Sequence, residues 1–100
     1  MTKFLVIYKA EEIATEEMSD ETNELIISHV EHIRNLDNEG ILFLCGVFTD
    51  NTGAMLIFEA KSTEEVESYI LKDPLIIEKF YSYTIQELIE ANKENNYLME

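Results

Sequence analysis

Two histidines, an aspartate ahead of the only proline, a single cysteine and a set of strand tyrosines carry the chemistry open to this chain. His29 and His32 lie in DETNELIISHVEHIRNLDNEG, residues 20–40. In that stretch Leu25, Ile26, Val30, Ile33 and Leu36 fall on one side of a wheel turned by ~100° per residue, and His29 projects between Leu25 and Ile33. A neutral imidazole pressed against a core needs a hydrogen-bond partner, because an unpaired buried polar group costs about 1–3 kcal/mol. Asp73 is the candidate partner. A carboxylate that receives one imidazole N–H sets the tautomer and leaves the other ring nitrogen free to take a proton from a bound molecule. On spacing alone a plainer account stands beside this one, with His29 a structural core histidine and Asp73-Pro74 a helix stop.

The remaining candidates are weaker. His32 follows His29 by one helical turn, a spacing that can bind a metal, but a third ligand with a clear motif is missing and no metal is expected. Cys45 precedes Gly46 at the end of an apolar run, where a small buried hydrophobe is the expectation. No positive group lies near it in sequence to favour a thiolate. Tyr8, Tyr81 and Tyr83 could line a pocket with hydroxyls or could simply pack across strands. A Gly-rich phosphate loop, a nucleophile elbow and a paired-cysteine cluster are all lacking, which disfavours nucleotide, serine or zinc hydrolase chemistry.

The elements that must position these residues follow from local pattern. KFLVIY (Lys3 to Tyr8) reads as a first strand, and Ala10 to Ser19 as an acidic loop. The helix then runs to about Asn38, with Gly40 suited to the turn that ends it. ILFLCG (Ile41 to Gly46) and AMLIFEA (Ala54 to Ala60) are the next strands, and the turn residues of VFTDNTG join them as a hairpin with a long loop. Ser62 opens a second helix as a capping box, its hydroxyl accepting the Glu65 amide while Glu65 reaches back to the Ser62 amide. Val66, Tyr69 and Ile70 form its buried stripe, and Pro74 ends it by Lys72. A single turn at LIIEK, a fourth strand over about Phe80 to Glu87 and a polar tail or frayed helix complete the chain.

One hundred residues suit a single domain over 1–100, with a core at 3–89 and a polar tail at 90–100. The order β-α-β-β-α-β predicts an α+β, ferredoxin-like fold, an antiparallel sheet with two helices on one face. Both faces of the central strands are apolar, yet two helices can cover only one. That excess predicts a homodimer through the sheet face, closing a barrel-like core. The formal charge of −14, from 21 acids against seven bases, would repel phosphate backbones and anionic lipids. Nucleic acid and membrane are therefore excluded as partners. No run approaches the ~18–20 apolar residues of a membrane span, and MTKFLVIYKAEE has too short an apolar core for a signal peptide, so a cytoplasmic location is expected.

Taken in order, His29-Val30, the glycines at positions 40 and 46, the Phe48-to-Gly53 loop, IFEA at Ile57 to Ala60 and Asp73-Pro74 resemble the pattern of the YciI-like (YCII-related) family over residues 3 to 89. That family is similar to the dimeric α+β barrel superfamily, which includes muconolactone isomerase-like enzymes. The resemblance implies a histidine and aspartate as active-site pair, carried here by His29 and Asp73. It departs at three places: Ile26 stands where the family often has an arginine, Lys79 where a glycine commonly follows Asp-Pro, and Leu88 where a proline is usual. Without that arginine, either Lys79 or Arg34 substitutes as a clamp for an anionic substrate, or the ligand is less charged.

These readings converge on a small-molecule enzyme. His29 would be general base, Asp73 its support, and Tyr8, Phe48 and Tyr81 substrate-binding residues around a pocket between helix and sheet near the Phe48-to-Gly53 loop. Isomerisation or elimination suits such a pair, since neither requires a cofactor, and none is expected. The alternative is a non-catalytic homodimeric module that binds a metabolite or regulates. A haem-dependent or cofactor-free monooxygenase of the same superfamily is a third reading, for which no further residue argues.

Overall fold

The computed structural model describes residues 2–11 and 20–99. The expected loop at residues 10–19 falls mostly outside them. Strand β1 (Thr2–Ala10) is followed by helix α1 (Asp20–Asn38) and by strands β2 (Leu42–Val47) and β3 (Gly53–Ala60). Helices α2 (Thr63–Ile70) and α3 (Pro74–Ile77), strand β4 (Tyr81–Leu88) and a 3-10 segment (Lys93–Leu98) complete it. The four strands form one antiparallel sheet in the order β2-β3-β1-β4.

Alternation along the strands builds the core. Phe4, Val6 and Tyr8 of β1 are buried, and their register partners Phe58, Leu56 and Ala54 on β3 share that face. Leu36 of α1, Val66 and Ile70 of α2 and Ile76 of α3 join the same cluster, so the helices cover this face. Burying a side chain of this size is worth about 1.5–3 kcal/mol, and the fold rests mainly on this layer. Leu5, Ile7, Met55 and Ile57 point the other way and are only half-buried. Phe43 lies beside Lys3, whose ammonium sits 4.8 Å from the ring centroid.

Helix boundaries follow local chemistry. Gly40, at φ +76°, closes α1 at low steric cost while its amide bonds the Asp37 carbonyl and the Ile41 amide that of Leu36. Ser62 caps α2 by accepting the Glu65 amide at 3.2 Å. The reciprocal half of the expected box differs: the Glu65 carboxylate accepts the Lys61 amide at 3.4 Å instead of that of Ser62. At the chain's end, Asn92 and Asn95 cap one another and hold a short 3-10 turn.

Two expectations from periodicity are corrected. Val30 is exposed, and of the five residues on the expected apolar face of α1 only Leu36 is fully buried. A 19-residue helix on a small sheet has only part of its stripe over the core. Cys45 is likewise exposed, not buried. The register of β2 slips between Leu42 and Leu44, a bulge after which Cys45 pairs with Leu56 and Val47 with Ala54. Simple alternation from Leu42 would place Cys45 and Val47 on the opposite face; the inserted residue re-aims them toward the helix side, at an edge α1 does not close.

Candidate active site

Asp73 is the one buried charged side chain among the described residues, at 0% exposure. Its position is local in origin. Pro74 has no amide to donate and occupies the first helical position, so Asp73 becomes the N-cap of α3, its Oδ1 accepting the Leu75 amide at 3.0 Å. Its other bonds come from far along the chain. The Tyr8 hydroxyl donates to Oδ2 at 2.8 Å, and His29 Nδ1 lies 2.9 Å from Oδ1 and 2.8 Å from Oδ2. A carboxylate only accepts, so Nδ1 carries a proton, and in the neutral form of the ring Nε2 is a bare acceptor.

Burial would push the Asp73 carboxyl up, but the His29 hydrogen bond and charge, the Leu75 amide and the Tyr8 hydroxyl together hold it below the ordinary carboxylate range. Asp73 is therefore ionised. The Tyr8 hydroxyl is pushed up, first by burial and then by the Asp73 charge and hydrogen bond, and it stays a donor. Nothing buried in this cluster lacks a partner.

His29 is half-buried and forms part of the wall of a cleft of about 90 Å³ between α1 and the sheet. Ile33 shares the helix wall with it, Tyr8 contributes from β1, and Leu56, Cys45 and Val47 line the side formed by β3 and β2. The cleft lies at the end of the β2–β3 hairpin from which the Phe48-to-Thr52 connection departs. Among the described residues no group bonds His29 Nε2. The arrangement can accept a proton at Nε2 and balance the resulting imidazolium against Asp73.

The other sequence candidates fall elsewhere. Tyr81 stacks on Tyr8 with centroids 5.8 Å apart, behind the cleft wall. Phe48 stands just beyond Val47 and is not among the lining residues. Tyr83 donates to Glu67 at 3.0 Å. His32 Nε2 donates to the Tyr69 carbonyl at 2.8 Å, tying α1 to α2. Arg34 and Lys79 are exposed and absent from the wall. Sequence reasoning did not find Cys45, Val47, Leu56 and Ile33 as lining residues, nor Tyr8 as the third partner of Asp73. The bulge on β2 leaves no local signature, and the hydroxyl's destination depends on packing.

No protein-family model matches the chain, and no curated protein does. Solved structures do. 5-chloro-2-hydroxyhydroquinone dehydrochlorinase from Burkholderia phenoliruptrix, in complex with 2,5-dihydroxybenzoquinone, superposes with a TM-score of 0.63 at 22% identity, over 94% of this chain and 99% of that one. Muconolactone isomerase superposes with a TM-score of 0.70 at 14% identity, over 88% of each chain. This chain has the fold of both.

Proposed function

We propose that the protein is a YciI-like enzyme with a ferredoxin-like fold, acting as isomerase or lyase on a small organic molecule through acid/base chemistry. The observation that carries this reading is the buried, ionised Asp73 holding His29 by Nδ1 while, among the described residues, nothing bonds Nε2 at a cleft. Nε2 removes a proton from the substrate, and the electron pair of the broken bond forms a new double bond. In an isomerisation the proton returns at another atom; in an elimination a leaving group departs with its own electron pair. Asp73 keeps its charge and offsets that of the imidazolium. The names of the two fold neighbours, a dehydrochlorinase and an isomerase, fit these two outcomes.

The test is turnover. Chloride release from 5-chloro-2-hydroxyhydroquinone and isomerisation of muconolactone are the two assays to begin with. His29→Ala is expected to lower the rate about 10²–10⁴-fold and Asp73→Asn by a comparable factor. Equal rates in wild type and both variants would overturn the mechanism. A cleft that binds ligands with no turnover would leave the metabolite-binding module as the function.

The open sheet face supports a homodimer. Leu5, Ile7, Met55 and Ile57 are only half-covered, and Phe43 and Leu44 are 56% and 52% exposed. Two such faces packed together would bury this surface and build the barrel that neither copy completes alone. Light scattering should give twice the 11.6 kDa of one chain.

A further inference from the structure

The chain contains seven cationic side chains, and none of them is among the residues that line the cleft. Lys3 is committed to Glu59 and Glu90, at 3.8 and 2.9 Å. Arg34 and Lys79, the two replacements that could stand in for a missing anion clamp, are both exposed and outside the wall. Residues 12–19, EIATEEMS, hold no Lys or Arg, so they can bring no cation to the site wherever they lie. Behind His29 stands the ionised Asp73, within a chain of formal charge −14.

The rest of the wall sets size and polarity. Ile33, Val47 and Leu56 make it apolar, and the Tyr8 hydroxyl is committed to Asp73. In the neutral ring His29 Nε2 is an acceptor, so a ligand that pairs with it must donate. At about 90 Å³ the cleft is smaller than a dry cavity of about 150 Å³ that holds benzene, and its open mouth leaves room for one ring standing partly outside. A carboxylate ligand would lose its water here, find no cation, and face the Asp73 charge.

We propose that the cleft binds an uncharged, single-ring molecule whose phenolic or enolic hydroxyl donates to His29 Nε2, and that it excludes anionic rings of the same size. The inference rests on the reading of Nε2 as the group that faces the substrate. On proton transfer the ligand's O–H bond breaks, the electron pair stays on oxygen, and the new N–H makes an imidazolium between two anions. A neutral ligand is the one whose ionisation the site can balance.

Phenol and benzoate are the probes, since they share a ring and differ in charge at pH 7. Titrated into the full-length protein labelled with ¹⁵N-histidine, phenol should shift the His29 side-chain resonances saturably, leaving those of His32 unmoved. Benzoate should bind at least about tenfold more weakly, a difference of about 1.4 kcal/mol. Val47→Lys, which adds a cation at the cleft mouth, should narrow or reverse that preference. Benzoate binding as tightly as phenol to the wild type, or neither probe moving His29, would overturn the proposal. Turnover of a carboxylate substrate that depends on His29 would overturn it while leaving the acid/base reading intact. Saturable phenol binding with no turnover would sustain it while removing that reading.

Discussion

His29 and His32 sit one helical turn apart on α1, both half-buried, and differ in what meets them. His32 gives its Nε2 proton to a backbone carbonyl, a neutral acceptor fixed at the end of α2. His29 gives its Nδ1 proton to a fully buried carboxylate and turns its other nitrogen to a cleft. A carbonyl fixes a ring in place; a buried anion also stabilises the ring once it is protonated. Residue type, spacing and exposure are nearly the same for the two, so the partner alone separates a tether from a candidate base.

The sharpest way to break that comparison is to remove each histidine in turn. His29→Ala is expected to lower turnover about 10²–10⁴-fold, and His32→Ala to leave kcat within about twofold once folded fraction is accounted for. Equal losses would erase the distinction. Next in size is the carboxylate itself. Asp73→Asn puts an amide donor among three donors and should cost about 3 kcal/mol in urea unfolding.

That cost should depend on pH in one direction. The folded-state carboxyl is held below its ordinary value of 3.8, so Asp73 contributes its full stabilisation above that pH. The contribution is lost as pH falls through the lower folded value. Wild-type and Asp73→Asn stabilities should therefore converge in acid, as followed by circular dichroism, and a gap that widens there would contradict the ionised state.

Tyr8→Phe deletes one bond to the carboxylate and should cost about 2 kcal/mol. The Tyr8 hydroxyl is raised above its ordinary value of 10.0, so its stabilisation is whole below that pH and is lost as pH rises. The variant should show a shallower alkaline loss than the wild type. The smallest effect belongs to the tether: His32→Ala should cost about 1 kcal/mol in urea unfolding, one ordinary hydrogen bond.

Much of the architecture was legible because its causes are local. Apolar alternation marks β1 and β3, the Asp50-Asn51 and Gly53 turn marks the hairpin, Ser62 opens α2, and Pro74 forces a stop that leaves Asp73 as a cap. Gly53 illustrates the limit of such reading. Its composition says turn, while the packing adds that any Cβ there would collide with the Tyr8 carbonyl oxygen on the neighbouring strand.

By itself the sequence determined the order of strands and helices, the acidic charge and the excess of apolar sheet surface, while His29 and Asp73 were singled out as a pair through the family resemblance. Only the tertiary structure decided that Tyr8 is the third partner of Asp73, that a bulge turns Cys45 and Val47 into the cleft, and that no Lys or Arg among the described residues lines its wall. Those facts depend on register and on contacts spanning 44 and 65 residues, where packing, and not local propensity, selects which side chains meet.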